Sequence, residues 1–333
     1  HPRRRGDRMR RREFIAVLSA GAGWSFATGA QQVSMPVIGL LNGQSSEGWS
    51  HLLAAFRQGL NEAGYVEGRT VRIEYRFADN QVERLPELAR ELARLPVNVL
   101  VTSGGEVAAR AAVAATSSIP IVATFGGDPV LNNLVVSLNR PGNNLTGVSL
   151  FNVTLVAKQL GVLHELLPEA KSVGVLANPS NPNAKPMLKE AETAAKALGL
   201  RLSVLKAAHF DEIEGALAAI AGASPPTPLI VVGDPHFTAQ RGKLVVLATR
   251  LGIMYFLRGF AEAGGLIAYG SNREADYHLL GVYTARILQG AKPSDLPIAQ
   301  PTNFELVINL KTARALGLTV PPTLLARADE VIE

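Results

Sequence analysis

The 333-residue chain contains no cysteine. That excludes disulfides, thiolate metal sites, cysteine nucleophiles and a lipid-modified N-terminal cysteine. Long apolar runs are missing as well. Phe14–Ala27 is too short for a membrane span, which takes about 20 residues, and the charge-free run Gly215–Gly233 is broken by Pro225, Pro226 and Pro228. The formal net charge of +5 is also absent from most of the chain. Seven of the 33 basic residues and two of the 28 acidic ones fall within residues 1–30, which leaves the remainder balanced at 26 of each. A neutral body carries no electrostatic footprint for nucleic acid. Catalytic signatures are missing too. There is no Gly-x-x-x-x-Gly-Lys-Ser/Thr loop, no His-Glu-x-x-His and no Gly-x-Ser-x-Gly, and Gly21-Ala-Gly23 lacks the third glycine of a dinucleotide fingerprint. These absences point away from an enzyme and imply neither cofactor nor metal.

What the chain does have begins with an address. Arg10-Arg11-Arg12 precedes the uncharged stretch Phe14–Ala27, and Thr28-Gly29-Ala30 offers small residues for cleavage after Ala30. A positive start, an apolar middle and a small-residue end make up an export signal. Arg11-Arg12-Glu13-Phe14-Ile15 resembles the twin-arginine export motif, with Arg10 and Ala16 as departures, so the general secretory route stays open. The expectation is a 1–30 leader and a mature protein in the periplasm, without a membrane anchor.

From Pro36 onward, short apolar runs alternate with helix-period segments. Strands are expected at Val37–Leu41, Thr70–Arg76, Asn98–Thr102 and Ile119–Ala123, with helices at Ser50–Ala63, Leu85–Leu95 and Glu106–Ala115. The rhythm repeats: strand Ser172–Ala177, helix Ala184–Leu198, strand Arg201–Leu205, helix Asp211–Ala221, strand Leu229–Val232, helix Thr238–Leu251, strand Ile253–Phe256. Gly265–Tyr269, Glu274–Leu288, Phe304–Asn309 and Lys311–Leu316 complete the chain as strand, helix, strand and helix. Such alternation means α/β architecture with parallel sheets covered on both faces. The halves also match in detail. Strands ending in Asn42 and Asn178 each lead into a polar turn, and Gly127-Asp128-Pro129 and Gly233-Asp234-Pro235 each follow an apolar strand. Two similar doubly wound lobes are expected.

In open α/β sheets, ligands bind at the carboxyl ends of strands. Five loops qualify. The first carries Ser45 and Ser46, and the second Thr102, Ser103, Gly104 and Gly105. Thr124 to Asp128 form the third, Asn178 to Asn181 the fourth, and Asp234 to Phe237 the fifth. The Ser103–Glu106 helix start suits a carboxylate, although Ser103 also fits a plain helix cap. Asp128 or Asp234 would accept from an ammonium group, although Asp followed by Pro also begins ordinary helices. Phe237, Tyr255 and Tyr269 are candidates for an apolar wall, with core packing as the alternative.

Several segments together resemble the tryptophan/tyrosine-type substrate-binding proteins of ABC transporters. They are Asp128-Pro-Val with Leu134–Ser149, Glu262–Gly270, Ile287–Pro297, and Phe304–Asn309 through Ala315–Pro321. The resemblance spans nearly all of 36–333. It implies a type I periplasmic-binding-protein fold: two lobes joined by a crossing hinge, closing on a small ligand. The first lobe would comprise 36–147 plus about 268–298, and the second 148–267 plus about 299–333. The partners implied are a small molecule, possibly an aromatic amino acid, and a membrane permease with a separate ATPase. The binding protein itself would be a monomer. A ligand sensor for a signalling receptor, or an enzyme on the same scaffold, are the rival readings.

Overall fold

The computed structural model describes residues 35–47, 49–221, 227–247, 253–255 and 258–333. The expected leader, the Tyr255 side chain and the end of the expected Thr238–Leu251 helix lie outside them.

The first lobe is built from β1 (Val37–Asn42), α1 (Ser50–Asn61), β2 (Arg72–Phe77), α2 (Leu85–Arg94), β3 (Val99–Ser103), α3 (Glu106–Ala115), β4 (Ile121–Phe125) and β5 (Leu145–Ser149). All strand pairs are parallel, in the order β2-β1-β3-β4-β5. The apolar runs Val-Ile-Gly-Leu-Leu and Val-Leu-Val make β1 and β3 fully buried, as a sheet covered on both faces requires. Successive residues serve opposite layers: Ile38, Leu40, Val99 and Val101 pack toward α1, whereas Leu41 and Leu100 pack toward α2 and α3. Helix α2 is two-faced by sequence. Leu85, Leu88, Ala89 and Leu92 are buried, and Glu87 pairs outward with Arg90 at 2.8 Å.

The second lobe follows with α4 (Asn152–Leu166), β6 (Ser172–Ala177), α5 (Ala184–Ala197), β7 (Arg201–Lys206), α6 (Phe210–Ala221), β8 (Leu229–Val231), α7 (Pro235–Ala239), α8 (Arg241–Leu247), β9 (Ile253–Tyr255), α9 (Arg258–Glu262) and β10 (Ile267–Ser271). Then α10 (Arg273–Leu288) returns to the first lobe. The chain ends in the second with β11 (Phe304–Asn309), α11 (Leu310–Ala315), α12 (Pro322–Leu325) and β12 (Glu330–Ile332). The described strands of this sheet run β12-β11-β10-β9-β8-β6-β7. From β7 to β10 this repeats the winding of the first lobe.

Four features depart from the sequence expectations. The expected all-parallel pattern breaks at β10 and β11, which pair antiparallel. The chain leaves β10 at the end facing the other lobe and re-enters there, so β11 must run the opposite way. The helix expected from Thr238 begins at Pro235 and stops at Gln240 before α8, because Asp234 caps it earlier. Helix α4 and strand β5 went unread in sequence. The lobe crossings fall a few residues later than expected. Leu145–Ser149 and Ala299 pair within the first sheet, with Ser149 N–H donating to Ala299 O at 2.8 Å. Ile267–Ser271 belongs to the second sheet. Asn272 N–H donates to Asn303 O at 3.2 Å and ties two crossings together.

Helix α10 rests on α1, and the sequence permits unusual closeness there. A methyl group on Gly59 would overlap the His278 carbonyl, and one on Gly281 would overlap the Phe56 carbonyl. The pair of glycines brings the two backbones into contact, and Phe56, Leu60, Tyr277 and Leu280 fill the space on either side.

Candidate functional site

The order 2-1-3-4-5 reverses direction between its first and third strands, and ligands bind at such switch points. Each lobe has one. In the first, the loops after β1 and β3 meet: Gly43 N–H donates to Ser103 O at 3.0 Å, and Asn42 Oδ1 accepts from Gln44 N–H at 2.8 Å. In the second, the loops after β6 and β8 meet. Asn178 Oδ1 accepts from Ser180 N–H at 2.9 Å, and its Nδ2 donates to Asp234 Oδ2 at 3.2 Å. The repeated Asn thus performs the same turn in both lobes. The two switch points face each other across a cavity of about 690 Å³ lined by both lobes.

Six residues expected from sequence line this cavity: Ser45, Gly104, Gly105, Thr124, Asn178 and Asp234. Gly104 holds φ +74°, and a side chain there would overlap Asn42 Oδ1, so glycine is required for the β3 loop to meet the β1 loop. Asp234 is 3% exposed and accepts four bonds. Its Oδ1 takes the N–H groups of His236 and Phe237 at 2.8 and 3.2 Å; its Oδ2 takes the amides of Asn181 and Asn178 at 2.9 and 3.2 Å. Burial raises its pKa against the opposing pull of those bonds. Capping is therefore its established work, and it remains at the cavity wall.

The other six expected residues are placed elsewhere. Ser46 is exposed beside the cavity. Thr102 is buried within the sheet, and the Ser103 hydroxyl turns inward to bond the Tyr277 hydroxyl. A strand's alternation explains this: residues next to the loop still belong to β3 and point into its layers. Asp128 is exposed, and its Oδ1 accepts from the N–H groups of Val130 and Leu131 at 2.8 and 3.3 Å, capping its own turn. Phe237 is fully buried in the second-lobe core. Tyr269 stacks on Phe304 at a ring separation of 6.3 Å, away from the cavity wall.

The sequence reading missed Asn152, Asn183 and Arg273, took Trp49 only as the end of the first loop and read Glu106 only as a helix start; all five line the cavity. Trp49 is buried edge-on to Tyr277 and Phe77. Asn152 opens α4 behind Phe151, a bulky residue held at φ +53°, the kind of backbone strain that gathers at functional sites. Arg273 begins α10, where the helix dipole disfavours a cation; that mismatch was a readable signal. Glu106 has a fully buried side chain. Its carboxylate accepts from Arg110 Nη2 at 3.2 Å, Asn132 Nδ2 at 2.9 Å and Asn183 Nδ2 at 3.2 Å. Burial pushes its pKa up, against those three donors. Three buried polar atoms of the wall have no hydrogen-bond partner among the described residues: Trp49 Nε1, Asn152 Oδ1 and His236 Nε2. Leaving such groups unpaired costs about 1–3 kcal/mol each. Among the described residues no cluster of His, Asp and Glu suits a metal ion.

Residues 38–332 match the family model of the ABC transporter substrate-binding proteins. The chain belongs to that family. It is accordingly a solute-binding component of an ABC-type system, a binding kind of protein whose partners are a small molecule and a transporter. Members of this kind work outside the cytoplasm, and no described helix is long and apolar enough to cross a membrane. A tyrosine-binding protein of Clostridioides difficile is 27% identical over 270 residues, 79% of this chain and 75% of that one. An ABC domain from Streptococcus pneumonia, solved in complex with L-Trp, is 26% identical, covers 90% of this chain and 100% of its own, and superposes with a TM-score of 0.83. A ligand-free, open substrate-binding protein with adhesive properties from Clostridium difficile is 25% identical and covers 89% of this chain and 99% of its own, with a TM-score of 0.67.

Proposed function

We propose that this substrate-binding protein captures an amino acid, an aromatic one, in the cleft between its two switch points. The observation that carries the reading is the set of buried, unpartnered polar atoms contributed by both lobes: Trp49 Nε1 from the first, Asn152 Oδ1 and His236 Nε2 from the second. A solute that satisfies both sets bridges the lobes and favours their closure. A zwitterion also finds both of its counter-charges in the wall. Arg273 and the first-turn N–H groups of α3 suit the carboxylate. Asp234, at the cavity wall, suits the ammonium. Ser45, Gly104, Gly105, Thr124 and Asn178 complete the polar enclosure, and Trp49 supplies the aromatic surface. The named solutes of the two relatives, tyrosine and L-Trp, support the aromatic side chain.

A thermal-shift screen of the twenty amino acids tests this reading. L-tryptophan or L-tyrosine is expected to raise Tm, with about 2.7 kcal/mol of stabilisation at one hundred times Kd. A screen in which no amino acid at millimolar concentration moves Tm overturns it. We further propose that residues 1–30 are an export leader and that the mature receptor is a periplasmic monomer. N-terminal sequencing of the exported protein should begin at Gln31. Retention in the cytoplasm with residues 1–30 attached contradicts the leader.

A further inference from the structure

One side chain of the second lobe does its bonding almost wholly in the first. Asn183 precedes α5 and is 4% exposed. Its backbone is held within its own lobe: its N–H donates to Asn181 Oδ1 at 2.9 Å, and its carbonyl accepts from Met187 N–H at 3.0 Å. Its amide crosses the cleft. Nδ2 donates to Glu106 Oε2 at 3.2 Å, and Oδ1 accepts from Asn132 Nδ2 at 3.3 Å. The socket that receives it is assembled entirely from first-lobe residues. Asn132 Nδ2 also donates to Glu106 Oε2, at 2.9 Å. Arg110 Nη2 bonds both Glu106 Oε1, at 3.2 Å, and Asn132 O, at 2.9 Å. The floor is the turn after β4, where a methyl on Gly127 would overlap the Asn183 amide and one on Gly126 would press on it at 3.3 Å.

We propose that Asn183 is a closure residue: seated in the Glu106–Asn132–Gly127 socket, it stabilises the closed arrangement of the lobes and so contributes to the affinity for whatever solute the cleft takes. Hydrogen bonds to a buried carboxylate are the stronger kind, and here one partner comes from each lobe. Opening the cleft breaks the Asn183 bonds and leaves the rest of the socket intact. Because apparent Kd scales inversely with the population competent to bind, a loss of the latch weakens binding by the factor it removes from the closed population. The inference rests on closure of two lobes and does not depend on which solute binds.

The test is a distance measurement between spin labels on the full chain in the absence of solute. The chain has no native cysteine, so Arg90→Cys on α2 and Glu192→Cys on α5, both exposed, give one label per lobe. The parent protein is expected to show a measurable short-distance population beside the open one. Asn183→Ala is expected to shift the closed-to-open ratio by about ten-fold toward longer distances, the scale of one charge-assisted hydrogen bond. Gly127→Ala, which fills the socket floor from the other lobe, should do the same. Combined with Asn183→Ala it should add little, because the group it overlaps most is gone and only Asn132 Nδ2 at 3.0 Å remains close; a merely structural role predicts fully independent effects. The inference is overturned if both single variants keep the parent distance distribution, or if the parent shows no short-distance population at all. Lack of L-tryptophan or L-tyrosine binding in a parallel titration would count against the amino-acid reading and leave the distance result unaffected.

Discussion

At the scale of single residues, the site depends on groups whose surroundings fix what they do. Gly104 is one. Gly104→Ala places a side chain at φ +74° and against Asn42 Oδ1, so it should lower stability by about 1–3 kcal/mol. Thermal unfolding measures this, and an unchanged Tm contradicts the switch-point geometry. Trp49→Phe keeps an aromatic body and removes the unpartnered Nε1 donor. Solute affinity should fall several-fold with Tm nearly unchanged, which equilibrium titration checks. Asp276 gives a pH signature. Burial raises its carboxyl to about 6, against the attraction of Arg273 and the hydrogen bond donated by Ser271, and with repulsion from Glu274. The folded state therefore holds this proton where the unfolded chain has lost it. The stabilisation is fully present below about pH 4 and is lost as pH rises through about 6, an amount of about 3 kcal/mol. Asp276→Asn, which still accepts from Ser271, should flatten that part of the stability–pH curve; a curve of unchanged slope contradicts the assignment. What sequence could reveal at this scale was the loops. Ser45, Gly104, Gly105, Thr124, Asn178 and Asp234 lie at strand ends, and strand ends are visible as the close of apolar runs. Ser103 and Phe237 were less legible, because one residue of offset in a strand or a helix turns a side chain from cleft to core.

Among elements, the strands were the easiest to read. Parallel strands buried on both faces are mostly apolar runs, and Val37–Leu41 and Ser172–Ala177 were visible on that ground alone. Pairing direction was not visible, since β11 looks like any other apolar strand and its reversal comes from where the chain re-enters the lobe. The contact of α1 with α10 was equally silent. Gly59 and Gly281 are more than two hundred residues apart, and only the fold shows that each faces the other's backbone. Gly281→Ala should force the helices apart and cost about 1–3 kcal/mol, the range for overpacking a tight contact. Chemical denaturation measures it, and a loss below about 0.5 kcal/mol would contradict the close approach.

For the molecule as a whole, the decisive fact is duplication. Two sheets wound in the same order bring two switch points face to face, and neither alone encloses a solute. The balanced charge of residues 31–333 fits that arrangement, with recognition confined to a cleft. The missing cysteines leave stability to the cores of the two lobes. The central claim is that the cleft between the switch points holds the solute. A crystal structure grown with L-tryptophan or L-tyrosine tests it most directly. The account predicts one bound molecule between the Gly104–Glu106 and Asn178–Asp234 loops, with a polar atom within hydrogen-bond distance of Trp49 Nε1 and another of Asn152 Oδ1. Density for the amino acid elsewhere on the protein, with the cleft holding none, would contradict it.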